Sequence, residues 1–237
     1  MFNAAGRAPF LLTGDHAGSA IPAKLGDLGL TAEQMDRHIA IDIGVFGMAR
    51  ALAGLLDAPF LSQTYSRLVV DCNRDPASVD AMPALSDGIA IRGNADLDAD
   101  ARAARIAAIH APYHTAIAAL IEARREARLE TTLLALHSFT PIMAGIARPW
   151  DVGILHWRGR TDFARAMLDA LRDDGDLTVG DNAPYVMDAT DFTVPTHAFP
   201  NALRYAEIEV RQDLLATPAM QTAWAERLAR AALKANG

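Results

Sequence analysis

The chain has 237 residues, 51% of them hydrophobic and 22% charged, enough to bury a sizeable core within one α/β unit. With 22 Lys and Arg against 29 Asp and Glu the net charge is −7, and no basic block stands out, which argues against nucleic acid as a partner. The one cysteine, Cys72, excludes an internal disulfide and a cysteine-only metal site, and no apolar run reaches the roughly 18 residues that a membrane span needs. The first residues lack a signal-peptide pattern, so the expectation is a soluble protein of the cytoplasm. An anionic substrate on so acidic a chain requires a local cluster of arginines.

Phe10-Leu11-Leu12 reads as a buried strand of the parallel-sheet type that stops at Gly14. It delivers Asp15 and His16 at its carboxyl end, where open α/β sheets place their ligands. Thr31-Ala32-Glu33-Gln34 has the cap and early acid of a helix start. The stretch that follows, as far as Leu56, reads as helix with Ile39, Ile43, Phe46, Ala49, Leu52 and Leu56 on one apolar face, which places Asp42 inside it. Pro59 to Leu61 and Ser66 to Asp71 read as short strands, the second running into CNRDP. Pro76 to Asn94, rich in Pro, Gly, Ser and Asp, reads as a long loop.

Asp98 to Glu130 is one amphipathic helical stretch with a break near Pro112. Thr131 to Leu136 is a buried strand that ends at His137, and Asp151 to Leu155 is another. Asp162 to Asp173 reads as helix, Gly175 to Pro184 as turns, Tyr205 to Val210 as an alternating strand, and Thr217 onward as a terminal helix. This alternation predicts a single α/β domain over residues 1–237, a central mixed and mostly parallel sheet with helices on both faces.

Polar groups cluster at the ends of these apolar runs: His16, Asp71 to Arg74, His137 and Glu209. Two imidazoles on separate strands with a carboxylate suit a catalytic zinc that has three protein ligands and an open position. Such an ion acidifies water and polarises a carbonyl while a nearby carboxylate takes the proton. Arg67 and Arg74 flank Asn73 and together suit a small, acidic substrate; the competing role for each arginine is an ion pair with Asp71 or Asp75. Glu207 and Glu209, two apart on one strand, share a face, and only one of them serves as base.

The blocks GDHAGSAIP, HIAIDIG, YSRLVVDCNRDP, APYH, LHSFTP, RPWDVGIL, GDNAPY and AEIEVRQDLL, in that order from about Phe10 to Leu215, resemble the N-formylglutamate amidohydrolase family. That family is distantly similar to zinc carboxypeptidases and aspartoacylases: VDCNR resembles their arginine-bearing turn, LHSF their ligand strand, and IEVR the strand of their catalytic glutamate. The resemblance implies a phosphorylase/hydrolase-like, zinc carboxypeptidase-like fold and hydrolysis of N-formyl-L-glutamate to formate and glutamate, with a place in histidine breakdown. It implies zinc or another divalent transition metal on His16 and His137, Glu209 as general base, and Arg67, Asn73 and Arg74 as substrate clamp. The carboxypeptidase pattern has a glutamate three residues after the first histidine, where this chain has Ser19. The third metal ligand is assigned to Asp42, with Asp15 and Asp71 as rivals.

Among the other histidines, His197 in a Pro-rich loop is a candidate substrate contact. His38, one helical turn from Asp42, either orients it or covers the helix surface. His110 and His114 suit packing better than a metal pair, and His156 reads as a packed histidine. Asn182 is either a site or a turn residue. Ser66, Ser138 and Cys72 lack the GxSxG elbow of a nucleophile, leaving a serine or cysteine hydrolase a poor second. Two readings stay beside the metalloenzyme: a related deacylase for another N-acyl compound, and a metal-free module that binds acidic amino acids. The oligomeric state stays open.

Overall fold

A computed structural model describes all residues Met1–Gly237. In chain order the elements are β1 (Phe10–Gly14), α1 (Ala32–Met35), α2 (Val45–Leu55), β2 (Phe60–Ser62) and a hairpin of β3 (Leu85–Ser86) and β4 (Ile89–Ala90). Then come α3 (Ala99–Arg105) and α4 (Ala111–Glu126), joined by a π turn over Ile106–His110, then β5 (Thr132–Phe139) and a second hairpin of β6 (Ile142–Met143) and β7 (Ile146–Ala147). The chain closes with β8 (Val152–Leu155), α5 (Asp162–Arg172), β9 (Val179–Asp181), α6 (Thr193–His197), β10 (Arg204–Arg211) and α7 (Pro218–Asn236).

One six-stranded sheet in the order β2-β1-β5-β10-β8-β9 forms the centre. β2, β1, β5 and β10 run parallel, while β8 is antiparallel to β10 and parallel to β9. The protein is an α/β fold with a mixed, mostly parallel sheet.

Strand alternation divides the core. Phe10, Leu12, Leu134, Leu136, Ala206, Ile208 and Val210 face one side, where α2, α5 and α7 cover them. Leu11, Leu133, Ala135 and Tyr205 face the other, against Ile117 and Ile121 of α4 and Val194 of α6. Two-residue periodicity then puts His137, Glu207 and Glu209 on this second side, at the carboxyl ends of the parallel strands where apolar cover gives way to loops.

Several local expectations are corrected. The segment from Thr31 to Leu56 is not one helix: α1 ends at Met35, closed at its start by a capping box between Thr31 and Gln34, and α2 begins only after Gly44 at φ +80°. A side chain on Gly44 would meet Leu215, so glycine is needed both for the turn and for the close approach. Asp42 therefore stands in coil, its N–H donating to the His16 carbonyl at 3.0 Å.

Ser66 to Asp71 forms turns instead of a strand, because side chains take the place of a ladder. Ser66 Oγ donates to the Ala40 carbonyl, Asn94 Nδ2 to that of Leu68 and Arg105 Nη1 to that of Val69. The helix from Ala99 to Glu126 does not break at Pro112; the π turn just before it absorbs the disturbance. The loop over 76–94 carries the β3–β4 hairpin, the turn-rich segment after Gly175 supplies the edge strand β9, and β5 runs past Leu136 so that His137 lies inside the strand.

Candidate metal centre and active-site cleft

A cleft of about 440 Å³ opens at the carboxyl end of the parallel strands, lined by His16, Asp42, Arg67, Asp71, Asn73, Arg74, His137, Tyr185, Asp191, Glu207 and Glu209 among others. Its size is that of a small-molecule site.

His16 leaves the end of β1 in a tight turn. Gly18, two residues on, lies so close to the Thr64 carbonyl that any side chain would collide with it, which holds the turn against the 63–64 segment. His137 comes from β5, and Asp42 is tied to both: its N–H binds the His16 carbonyl, and its Oδ2 accepts from the Ser138 N–H at 3.3 Å.

The side chains converge on one oxygen. His137 Nδ1 lies 2.9 Å and His16 Nδ1 3.4 Å from Asp42 Oδ2. Ligand atoms of His16, Asp42 and His137 all lie within 4.8 Å of one another, and all three residues are buried. His16 Nδ1 has no hydrogen-bond partner. The opposite nitrogens turn on carboxylates: His16 Nε2 is 2.7 Å from Asp71 Oδ1, and His137 Nε2 is 3.4 Å from Asp15 Oδ2. Two imidazoles and a carboxylate around an orphaned nitrogen, with aspartates behind the rings, fit a divalent transition metal. Asp15 and Asp71, the rivals for the third ligand position, thus stand behind the histidines.

The electrostatics agree with that fit. Burial opposes the ionised form of Asp42, but His16 and His137 hold its pKa well below the usual carboxylate range. Burial and Arg67 oppose protonation of His16, yet Asp71 and Asp42 outweigh them and raise its pKa; burial likewise opposes protonation of His137, which Asp15 and Asp42 raise well above normal. The buried carboxylates around the two rings favour positive charge at this place, the environment a cation occupies.

Glu209 is buried in the cleft, its Oε2 without a partner, and burial pushes its pKa up to about 7 against the pull of His137. Glu207, one layer deeper on the same strand face, is raised well above normal by burial, with His137 opposing and Asp191 and Glu209 adding to the rise. Burial thus raises both neighbouring carboxyls.

The arginines differ. Arg67 directs Nε and Nη2 to Asp71 Oδ2 at 3.2 and 2.9 Å and Nη1 to Asp42 Oδ1 at 3.3 Å, the ion pair that competes with a substrate role. Arg74 commits only Nη1, to the Asn73 carbonyl at 2.8 Å and Asp191 Oδ1 at 3.3 Å, leaving the rest of its fork for a ligand. Asn73 lines the cleft but spends its amide on the protein: Oδ1 accepts from the N–H groups of Phe192 and Thr193, and Nδ2 donates to Asp191.

His197 does not line the cleft. It is buried at the end of α6, where its Nε2 is 2.9 Å from His114 Nδ1. His114 Nε2 and His110 Nε2 face the carbonyls of Cys72 and Arg74 at 2.8 and 3.1 Å, so both histidines are packing residues that hold the loop bearing Asn73 and Arg74. His38 lies 3.4 Å from Asp87 and does not orient Asp42. His156 pairs with Asp181, and Asn182, at φ +49°, accepts from the His156 N–H as a turn residue.

Ser66 and Ser138 donate to backbone carbonyls, and burial pushes the Cys72 thiol up, so none is an activated nucleophile. Tyr185, Asp191 and the supporting Tyr113 were not singled out by sequence; the one signal for Tyr113 was its place in the APYH block.

The sequence pattern of the N-formylglutamate amidohydrolase family matches residues 8–216. Among solved structures, the Atu2144 gene product of Agrobacterium tumefaciens is 39% identical, with a TM-score of 0.95 over 99% of this chain and 92% of that one. An N-formylglutamate amidohydrolase from Ralstonia eutropha JMP134 shares the fold at 21% identity, with a TM-score of 0.65 over 97% of this chain and 94% of its own. A search of the curated proteins finds no match. With the family pattern spanning nearly the whole chain, the protein belongs to the N-formylglutamate amidohydrolase family.

Proposed function

We propose that this amidohydrolase is metal-dependent and cleaves N-formyl-L-glutamate, or a closely similar N-acyl acidic amino acid, to the carboxylic acid and the free amino acid. The observation that carries the reading is the meeting of His16, Asp42 and His137 within 4.8 Å, in a cleft shared with Glu209 and Arg74. His16, Asp42 and His137 would hold zinc or another divalent transition metal. When bound, such an ion lowers the pKa of water and polarises a carbonyl.

Glu209 has the position and the unpaired oxygen to take a proton from water. Water oxygen bonds to the formyl carbon, the carbon–nitrogen bond breaks, and Glu209 passes its proton to the leaving amine. Arg74 offers the uncommitted part of its guanidinium to a substrate carboxylate, where bidentate pairing fixes orientation. Arg67, already bound to Asp71 and Asp42, supplies positive charge and holds those two aspartates in place. Glu207, whose pKa burial raises well above the usual carboxylate range, lines the cleft beside Glu209. The substrate is a small soluble anion, and the reading places the protein in the cytoplasm, in the last step of histidine breakdown.

The test is formate release from N-formyl-L-glutamate with and without chelator. Chelator-sensitive release restored by zinc supports the proposal; release that survives full metal removal overturns the metal dependence, and no release from any N-formyl or N-acetyl acidic amino acid overturns the substrate class.

A further inference from the structure

Each ligand histidine turns its second nitrogen on a buried aspartate, and a carboxylate in that place orients the ring only if it is itself held. Asp71, behind His16, is held by two N–H groups of Arg67 and by the Asn73 N–H at 2.8 Å. Asp15, behind His137, has no arginine or lysine partner. Its Oδ1 accepts a 2.6 Å hydrogen bond from the Tyr113 hydroxyl, and no other protein group donates to its side chain. With Oδ1 engaged, Oδ2 is left facing His137 Nε2.

Resting on the metal-site reading above, we propose that Tyr113 is the positioning residue of the His137 arm, acting through Asp15 as Arg67 acts through Asp71. Its setting suits the task. Tyr113 is buried on α4, and α4 with the π turn before it grips the neighbouring loop through His114 and His110, so the phenol is delivered from a fixed element. A hydrogen bond from a phenol fixes the Asp15 rotamer, which in turn fixes the His137 ring plane with Nδ1 toward Asp42.

The test is zinc affinity of the purified full chain, measured by competition with a chromogenic chelator. Asp15→Asn replaces the charged carboxylate behind the ring with a neutral amide and weakens zinc by about tenfold to a hundredfold. Tyr113→Phe keeps the ring and removes only the hydroxyl; it weakens zinc by about threefold to tenfold, less because one more bond intervenes. Because both act on one chain of contacts, adding Tyr113→Phe to Asp15→Asn produces no further loss. Wild-type affinity in Tyr113→Phe, or losses that multiply fully in the double variant, would overturn the role of Tyr113 while leaving the metal site standing. A wild-type protein that takes up no zinc, cobalt or manganese would overturn the metal site and this inference together.

Discussion

His137 and Glu209 are register partners across the parallel strands β5 and β10, so an imidazole and a carboxyl stand side by side on one face of the sheet. Side-by-side residues on neighbouring strands have Cβ atoms about 5 Å apart. The pairing makes a firm mount: both strands are interior to the sheet, Glu209 lying between His137 of β5 and Gly153 of β8, and the two groups keep their spacing without help from a loop.

Removing the acid function of that pair isolates its role. In Glu209→Gln, kcat for formate release falls by about a hundredfold to ten-thousandfold, the range for a general acid–base group, while bound metal stays at the wild-type ratio. Steady-state kinetics with metal analysis checks both; full activity in this variant removes Glu209 as base.

Loss of a ligand acts differently. His16→Ala and His137→Ala leave Asp42 with a single imidazole, and metal content drops below one per chain after desalting. Elemental analysis of the two variants beside wild type is the measurement. Retention of a full equivalent in both would move the metal elsewhere.

Arg74 is expected to act on binding more than on chemistry. Losing a hydrogen bond to a charged partner costs about 1.5–3 kcal/mol, so Arg74→Ala raises KM by roughly tenfold to a hundredfold and lowers kcat less. Arg74→Lys recovers only part, because an ammonium lacks the planar fork. An unchanged KM would hand the substrate carboxylate to another group.

The histidines behind the loop make stability depend on pH. His114 is held by burial at a pKa of about 4, against 6.5 in an unfolded chain, and burial also lowers His110 and His197. His114 Nδ1 accepts from His197 only while unprotonated, since Nε2 already donates to the Cys72 carbonyl. A folded-state pKa below the unfolded one means that the stabilisation is complete above pH 6.5 and is lost as pH falls toward 4, by up to about 1.4 kcal/mol per pH unit. Urea melts of wild type and His114→Gln at pH 7 and pH 5 read this directly: the stability gap between them narrows at the lower pH. A gap that does not change would show that His114 titrates normally.

Much of the scaffold was legible in local pattern. The runs FLL, TTLLAL and YAEIEV are strands because apolar and β-branched residues at these spacings favour a pleated buried surface, and alternation alone assigns Glu207 and Glu209 to one face. The π turn before Pro112 and the loop character of Asp42 were not legible, because both depend on what packs against them. Gly44 is spaced to suit a helix interior, yet contact with Leu215 and the bond from Asp42 to the His16 carbonyl select a turn.

The amino-acid order determined the central strands, which of their side chains share a face, and the candidate donors His16, His137, Glu209, Arg67 and Arg74, since each follows from short-range periodicity or from a motif contiguous in the chain. Only the tertiary structure decided how they divide the work: that Asp42 joins the histidines while Asp15 and Asp71 stand behind them, that Arg67 is largely committed and Arg74 is freer, and that His197 braces a helix outside the cleft. Several of those assignments rest on contacts between residues far apart in the chain, His16 and Asp71 by 55 positions and Arg74 and Asp191 by 117, and a hydrogen bond of a few ångströms across such a separation is set by how the helices and loops close over the sheet, which no local stretch encodes.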